Sequence, residues 1–175
     1  MSARKIRVVG DPVLHTPTTL VTSFDAELAA LIDDMFDSMY AAEGVGLAAT
    51  QVGVGLSVFV YDCPDDAGNK HVGHMVNPTI IEASGPLDDG DEGCLSVPGP
   101  FHKLARPSIV TVAGFDKSGT PQQITGTGFF ARCLVHETEH LSGTLYIDHL
   151  TRGRRRKVLK QIELYDWSES ITPLP

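Results

Sequence analysis

The segment His136-Glu137-Thr138-Glu139-His140 limits what this chain can fold into more than any other. Histidines four apart leave one face of an α-helix a single turn from each other, so both imidazoles reach the same metal ion. Glu137, beside the first histidine, then reaches a water on that ion and serves as a general base. The chain must therefore place a helix here, and Gly128–Leu141 has the apolar spacing to form one.

A catalytic site of this type needs a third protein ligand and an open position. The longer pattern HExxHxxGxxH has its glycine, Gly143, but Tyr146 stands where its third histidine belongs. Cys133 shares the helical face, yet the helix rise sets it about 10 Å along the axis from His140, too far for one ion. It reads as a small core residue next to the site. A glutamate from a later helix, Glu163, or a thiolate from elsewhere, Cys63 or Cys94, remains open as the third ligand.

The rest of the sequence bounds the setting. At 175 residues the chain is one ordinary domain, residues 1–175, able to bury a core without disulfides. Three cysteines are too few and odd in number for a secreted disulfide framework, which points to a reducing, cytoplasmic setting. No run approaches the length of a membrane span, and the opening MSARKIRVVGDPVLH is too short for a signal core. A net charge of −8 excludes a surface built throughout to coat DNA or anionic lipid.

Element signals suggest an α+β fold, mostly antiparallel strands packed around a central HExxH metal-binding helix, with an N-terminal and a C-terminal helix. Leu28, Leu31, Ile32, Met35 and Met39 recur at helical spacing within Phe24–Ala42, where Ser23 or Asp25 can cap the start. Lys5–Leu14 reads as a short strand ending in a Pro-marked turn. Leu56–Tyr61, Val72–Ile81 and Ile109–Phe115 read as strands, Asp62–Lys70 and Thr79–Gly93 as turns, and Arg154–Tyr165 as a last helix.

Three segments in order carry a family resemblance: Gly44-Val45-Gly46-Leu47-Ala48-Ala49-Thr50-Gln51, Glu92-Gly93-Cys94-Leu95-Ser96, and His136-Glu137-Thr138-Glu139-His140. Together they resemble the peptide deformylases, which remove the N-formyl group from nascent polypeptides. Asp11-Pro12-Val13-Leu14, Ile32-Asp33-Asp34-Met35, Val52-Gly53 and Val97-Pro98-Gly99 extend the likeness over most of the chain. The resemblance implies Cys94, His136 and His140 as metal ligands and Glu137 as the group that takes and returns the proton. It implies Gln51 and the Leu95 N–H as donors to the oxyanion formed when water attacks the formyl carbon. It also implies a peptide lying along Gly44, Val45 and Gly46, with methionine in a pocket of Val45, Phe129 and Cys133. Arg132, one turn before His136, stands either at the rim of that pocket or on the surface.

The ion that the resemblance implies is Fe(II) in the cell, with zinc, nickel or cobalt fitting the same ligands in isolated protein. Formyl-Met nascent peptides are the implied partners. The basic run Arg152, Arg154, Arg155, Arg156, Lys157 and Lys160 reads as a solvated helix face or as a contact with ribosomal RNA.

Two departures stand out. Glu139 occupies a position usually held by aspartate, and Val135 one commonly held by glutamine. The first segment also fits a dinucleotide fingerprint, Gly44-x-Gly46-x-x-Ala49 with Asp62 beyond, but it follows a helix where that fingerprint follows a strand. The rival functions are a silent homologue that binds formyl peptides or nascent chains and a general HExxH metalloprotease using Glu163. The first lacks the loss of Glu137 or Gln51 that silence requires.

Overall fold

The computed structural model describes residues 3–162. Helix α1, Ala26–Ala41, starts where the Asp25 carboxylate accepts the N–H groups of Glu27 and Leu28, both at 3.0 Å. That cap satisfies donors the helix itself leaves unpaired. One face of α1 buries Leu28, Leu31, Ile32, Met35 and Met39.

Five strands follow: β1 Gly46–Ala48, β2 Val58–Pro64, β3 Lys70–Cys94, β4 Val97–Phe115 and β5 Pro121–Thr127. They form one antiparallel sheet in sequence order, β1-β2-β3-β4-β5. Helix α2, Gly128–Leu141, carries His136 and His140, and α3 spans Arg152–Ile162.

The dense apolar run of β2 is explained by burial on both faces. Val58 and Val60 join the core under α1, while Phe59, Tyr61 and Cys63 join the core under α2. On α2 only Phe129, Thr138 and Glu139 escape full burial. A third cluster, including Leu14, Val97, Tyr146 and Val158, seats α3 against the start of β4.

Four expectations need correcting. The HExxH helix is not central in the chain; it is the second of three helices among the described residues and lies in the C-terminal half. Thr79–Gly93, rich in turn formers, is strand throughout, because it pairs with β4 from Thr79↔Ala113 to Glu92↔His102. Register shifts at four places bend this long ladder without ending it, so the turn-forming residues mark bulges. Residues 5–8 form no ladder. They are nonetheless held, since Arg7 N donates to Gln51 O at 2.7 Å and Val9 N to Ser96 O at 2.8 Å. The stretch Gly44–Gly55 contains β1 and a 3₁₀ turn, Ala49–Val52, and β5 has no counterpart in the sequence reading. The last helix begins at Arg152, and residues 163–165 of its expected span lie outside the described residues.

The β2–β3 connection is built on Asp65, whose carboxylate accepts from Ala67 N, Asn69 N and Asn69 Nδ2 and meets His71 Nε2 at 3.0 Å. His71 first, then Asn69, hold its pKa down at about 2 against an ordinary 3.8. A carboxylate lowered by folding adds stability above its unfolded pKa and loses it as pH falls toward the folded one. Wild type should therefore lose stability more steeply than Asp65→Asn between about pH 4 and pH 2, read from urea midpoints at each pH. Parallel curves would remove Asp65 from the acid response.

Candidate active site

Cys94 closes β3 at the tight turn into β4, where Cys94 pairs with Val97. This turn brings its sulfur to α2. Cys94 Sγ lies 3.3 Å from His140 Nε2, which lies 3.2 Å from His136 Nε2. All three donor atoms fall within 4.8 Å of one another. Two nitrogens about 2.1 Å from a tetrahedral ion stand about 3.4 Å apart, so the spacing suits a single divalent cation. Sulfur with two imidazoles is a donor set for zinc, iron, cobalt or nickel. Cys133 is not part of this group; its thiol donates to Val45 O at 3.7 Å. Cys63 is buried in the α2 core, and Glu163 lies outside the described residues.

Glu137 sits beside the cluster, and burial pushes its pKa up to about 7, with the charge of Glu92 adding to the rise and His136 opposing it. Its Oε2 is buried without a hydrogen-bond partner among the described residues. Gly46 brings the β1 backbone against this carboxylate so closely that a Cβ there would run into Glu137 and Cys133. A residue with a side chain at 46 would displace this carboxylate, which is the local reason for glycine.

Gln51 is fixed by the turn that carries it. Its Oε1 accepts from Ala48 N at 2.8 Å, so its Nε2 faces Ser96 Oγ at 3.2 Å and Cys94 Sγ at 3.6 Å. The amide thus aims a donor at the group of Cys94, His136 and His140. Leu95 follows Cys94 directly on the same turn.

These residues open onto a cleft of about 480 Å³. Of those singled out in the sequence, Gly44, Val45, Gly46, Gln51, Cys94, Leu95, Phe129, Arg132, Cys133, His136 and Glu137 line it, and His140 does not. Val45 and Phe129 are exposed on its wall, as is Phe101 at 70% exposure. An apolar cleft with a few converging polar groups suits a ligand that has an apolar side chain and one reacting polar group.

Beneath the cleft lies a buried ion cluster that the sequence does not announce. Glu92 Oε1 meets His136 Nδ1 at 2.8 Å. Arg106 grips the same carboxylate through Nη2 at 2.7 Å and Nε at 3.0 Å, and reaches both oxygens of Glu139 at 2.8 Å. Glu139 also meets His149 Nε2 at 2.9 Å, so the longer acid at this position keeps a full set of partners. Arg132 is not on the surface: it lines the cleft at 3% exposure and joins Glu92 as well. Burial opposes ionisation of Glu92, but His136 and then Arg106 overcome it and hold its pKa far below the usual carboxylate range. Glu92 could be found beside Cys94 in sequence, whereas Arg106 carries no signal, being one arginine in a strand.

A family model described as Polypeptide deformylase matches residues 3–156. Peptide deformylase 2 of Streptomyces avermitilis is 51% identical over 172 residues, which cover 98% of this chain and 92% of that protein. Peptide deformylase 1 of the same organism is 53% identical over 164 residues, covering 92% of this chain and 76% of its own. Among solved structures, peptide deformylase from Ehrlichia chaffeensis in complex with actinonin superposes with a TM-score of 0.88 at 35% identity, covering 93% of this chain and 97% of that one. A peptide deformylase from Legionella pneumophila gives a TM-score of 0.85 at 41% identity, covering 93% and 94%.

Arg106→Leu leaves Glu92 without its bidentate partner and Glu139 without any guanidinium, and should cost about 3–5 kcal/mol of unfolding free energy in urea denaturation. A loss under about 1 kcal/mol would show that Glu92 and Glu139 do not depend on this residue.

Proposed function

The chain belongs to the polypeptide deformylase family, and from that premise we propose how its own residues serve the reaction. The enzyme removes the N-formyl group from the formyl-methionine of nascent polypeptides, leaving formate and a free amino terminus. The observation that carries the residue assignment is the convergence of Cys94, His136 and His140 beside Glu137 at an apolar cleft.

Cys94, His136 and His140 hold one divalent ion, Fe(II) in the cell, with zinc, nickel or cobalt taking its place in isolated protein. When bound, such an ion lowers the pKa of water and polarises a carbonyl oxygen. Glu137 takes the proton released by the attacking water and delivers it to the departing amine. Gln51 Nε2 and the Leu95 N–H donate to the oxygen that gains charge on the formyl carbon. The peptide adds to the outer edge of β1 along Gly44, Val45 and Gly46, since β1 ends the sheet and pairs within it only with β2. Its methionine side chain lies among Val45, Phe129 and Cys133.

Formate release from a formyl-Met peptide, measured with metal content, tests these roles. Glu137→Ala should keep its metal and lose about 10²–10⁴ in kcat. Gln51→Ala should lose about 10²–10³. Cys94→Ser should lose metal or change its reactivity. No formate from wild type would end the assignment. Protein loaded anaerobically with iron or nickel should outpace the zinc form, and equal rates would end the choice of iron.

Residues 1–175 act as a single catalytic domain in the cytoplasm, where nascent chains are made. Among the described residues no helix is long and apolar enough to cross a membrane. Val158 and Ile162 anchor α3, leaving Arg152, Arg154, Arg156, Lys157 and Lys160 exposed and Arg155 half-buried. That face suits a contact with ribosomal RNA, whose strength would fall as salt rises. Changing Arg154, Arg155 and Arg156 to Ser should abolish co-sedimentation with ribosomes at low salt, and unchanged pelleting would exclude the contact.

A further inference from the structure

Arg132 has a place in the fold that no step of the reaction uses. It leaves α2 one turn before His136, on the same face. Its Nη1 donates to Glu92 Oε2 at 3.1 Å and to Leu104 O at 2.8 Å, and its Nη2 to Asp88 O at 2.8 Å and Asp88 Oδ2 at 2.9 Å. All four Nη hydrogens are therefore engaged within the protein. Asp88 belongs to β3 and Leu104 to β4, so one side chain of the helix clasps both strands of the long hairpin.

The strand opposite is shaped to receive it. Gly90 faces Leu104 in the ladder, and a Cβ on Gly90 would stand 2.7 Å from Arg132 Nη2 and 3.1 Å from its Cζ. Only a residue without a side chain leaves that space. The clasp ends on Glu92, the carboxylate that meets His136 Nδ1. Arg106 reaches Glu92 too, but divides its guanidinium between Glu92 and Glu139. Arg132 supplies the second cation on Oε2, which fixes the plane of the carboxylate and leaves Oε1 aimed at the imidazole.

We propose that Arg132 is a positioning residue for the metal site, holding Glu92 in the orientation that points His136 Nε2 at the ion, with Gly90 as its cradle. The inference rests on the reading of Cys94, His136 and His140 as ligands. Groups that orient a metal-bound histidine change affinity by about 10–100-fold when lost, and Arg132 acts through one of them, so about tenfold is expected.

The test is anaerobic titration of metal-free protein with cobalt(II) against a competing chelator, following the thiolate-to-cobalt absorption. Wild type should show that band and Cys94→Ser should lose it. Absence of the band in wild type, or its survival in Cys94→Ser, overturns the ligand set and the inference with it. Given the band, Arg132→Met and Gly90→Ala should each bind cobalt about tenfold more weakly, with shifted ligand-field absorption. The double variant should bind no more than about twofold more weakly than Arg132→Met, because both changes break one contact. Asp25→Ala, destabilised far from the site, should match wild type in affinity and spectrum. Wild-type affinity in Gly90→Ala, which keeps the guanidinium and decides the matter if Arg132→Met does not fold, overturns the inference.

Discussion

The carboxylate of Glu92 is the constraint on which the site depends. It is buried and ionised, with two guanidinium groups meeting on Oε2 and an imidazole at Oε1. A charge in that position is tolerated only when its partners are in place, since desolvation alone costs several kcal/mol. The cluster draws on three elements: His136 and Arg132 from α2, Arg106 from β4, and Glu92 itself from β3. Satisfying one carboxylate therefore fixes the helix against the hairpin. The same act sets the distance between Cys94, two residues beyond Glu92, and the histidine pair.

The other wall of the cleft is set by close approach of backbone. Gly46 lets the edge strand lie against Glu137, and the turn after β1 turns Gln51 back so that Ala48 N fixes its amide. The N-terminal segment ties this wall to the Cys94 turn through Arg7 to Gln51 and Val9 to Ser96. The two oxyanion donors proposed here thus sit on segments strapped together by a stretch that is not itself in the sheet.

Legibility in the sequence followed locality. Helix α1 was readable because its apolar period and its Asp25 cap lie within one run. The Gly128–Leu141 helix was readable for the same reason, and its histidines could be paired by spacing alone. The long hairpin was not. Gly85, Pro86, Gly90 and Gly93 look like turn residues, yet Gly90 pairs with Leu104 of β4, and Gly85, Pro86 and Gly93 fall in register shifts that the ladder absorbs. Local propensity loses to cross-strand pairing when a partner strand is present. The acidic residues Asp88 to Glu92 lie in the stretch whose composition reads as turns, and Glu92 supplies the centre of the ion cluster.

The sequence by itself determined which residues can do chemistry: a histidine pair at helical spacing with an acid between, and cysteines among which ordered motifs singled out Cys94. Those are properties of short segments, where spacing becomes geometry as soon as the helix or turn forms. Only the tertiary structure decided that Arg132 faces inward, that Arg106 of β4 meets it on Glu92, and that Glu139 gains Arg106 and His149 as partners. These contacts join residues 10 to 40 positions apart. Whether an arginine ends in water or on a buried carboxylate depends on which strand the fold brings opposite, and no local pattern carries that information.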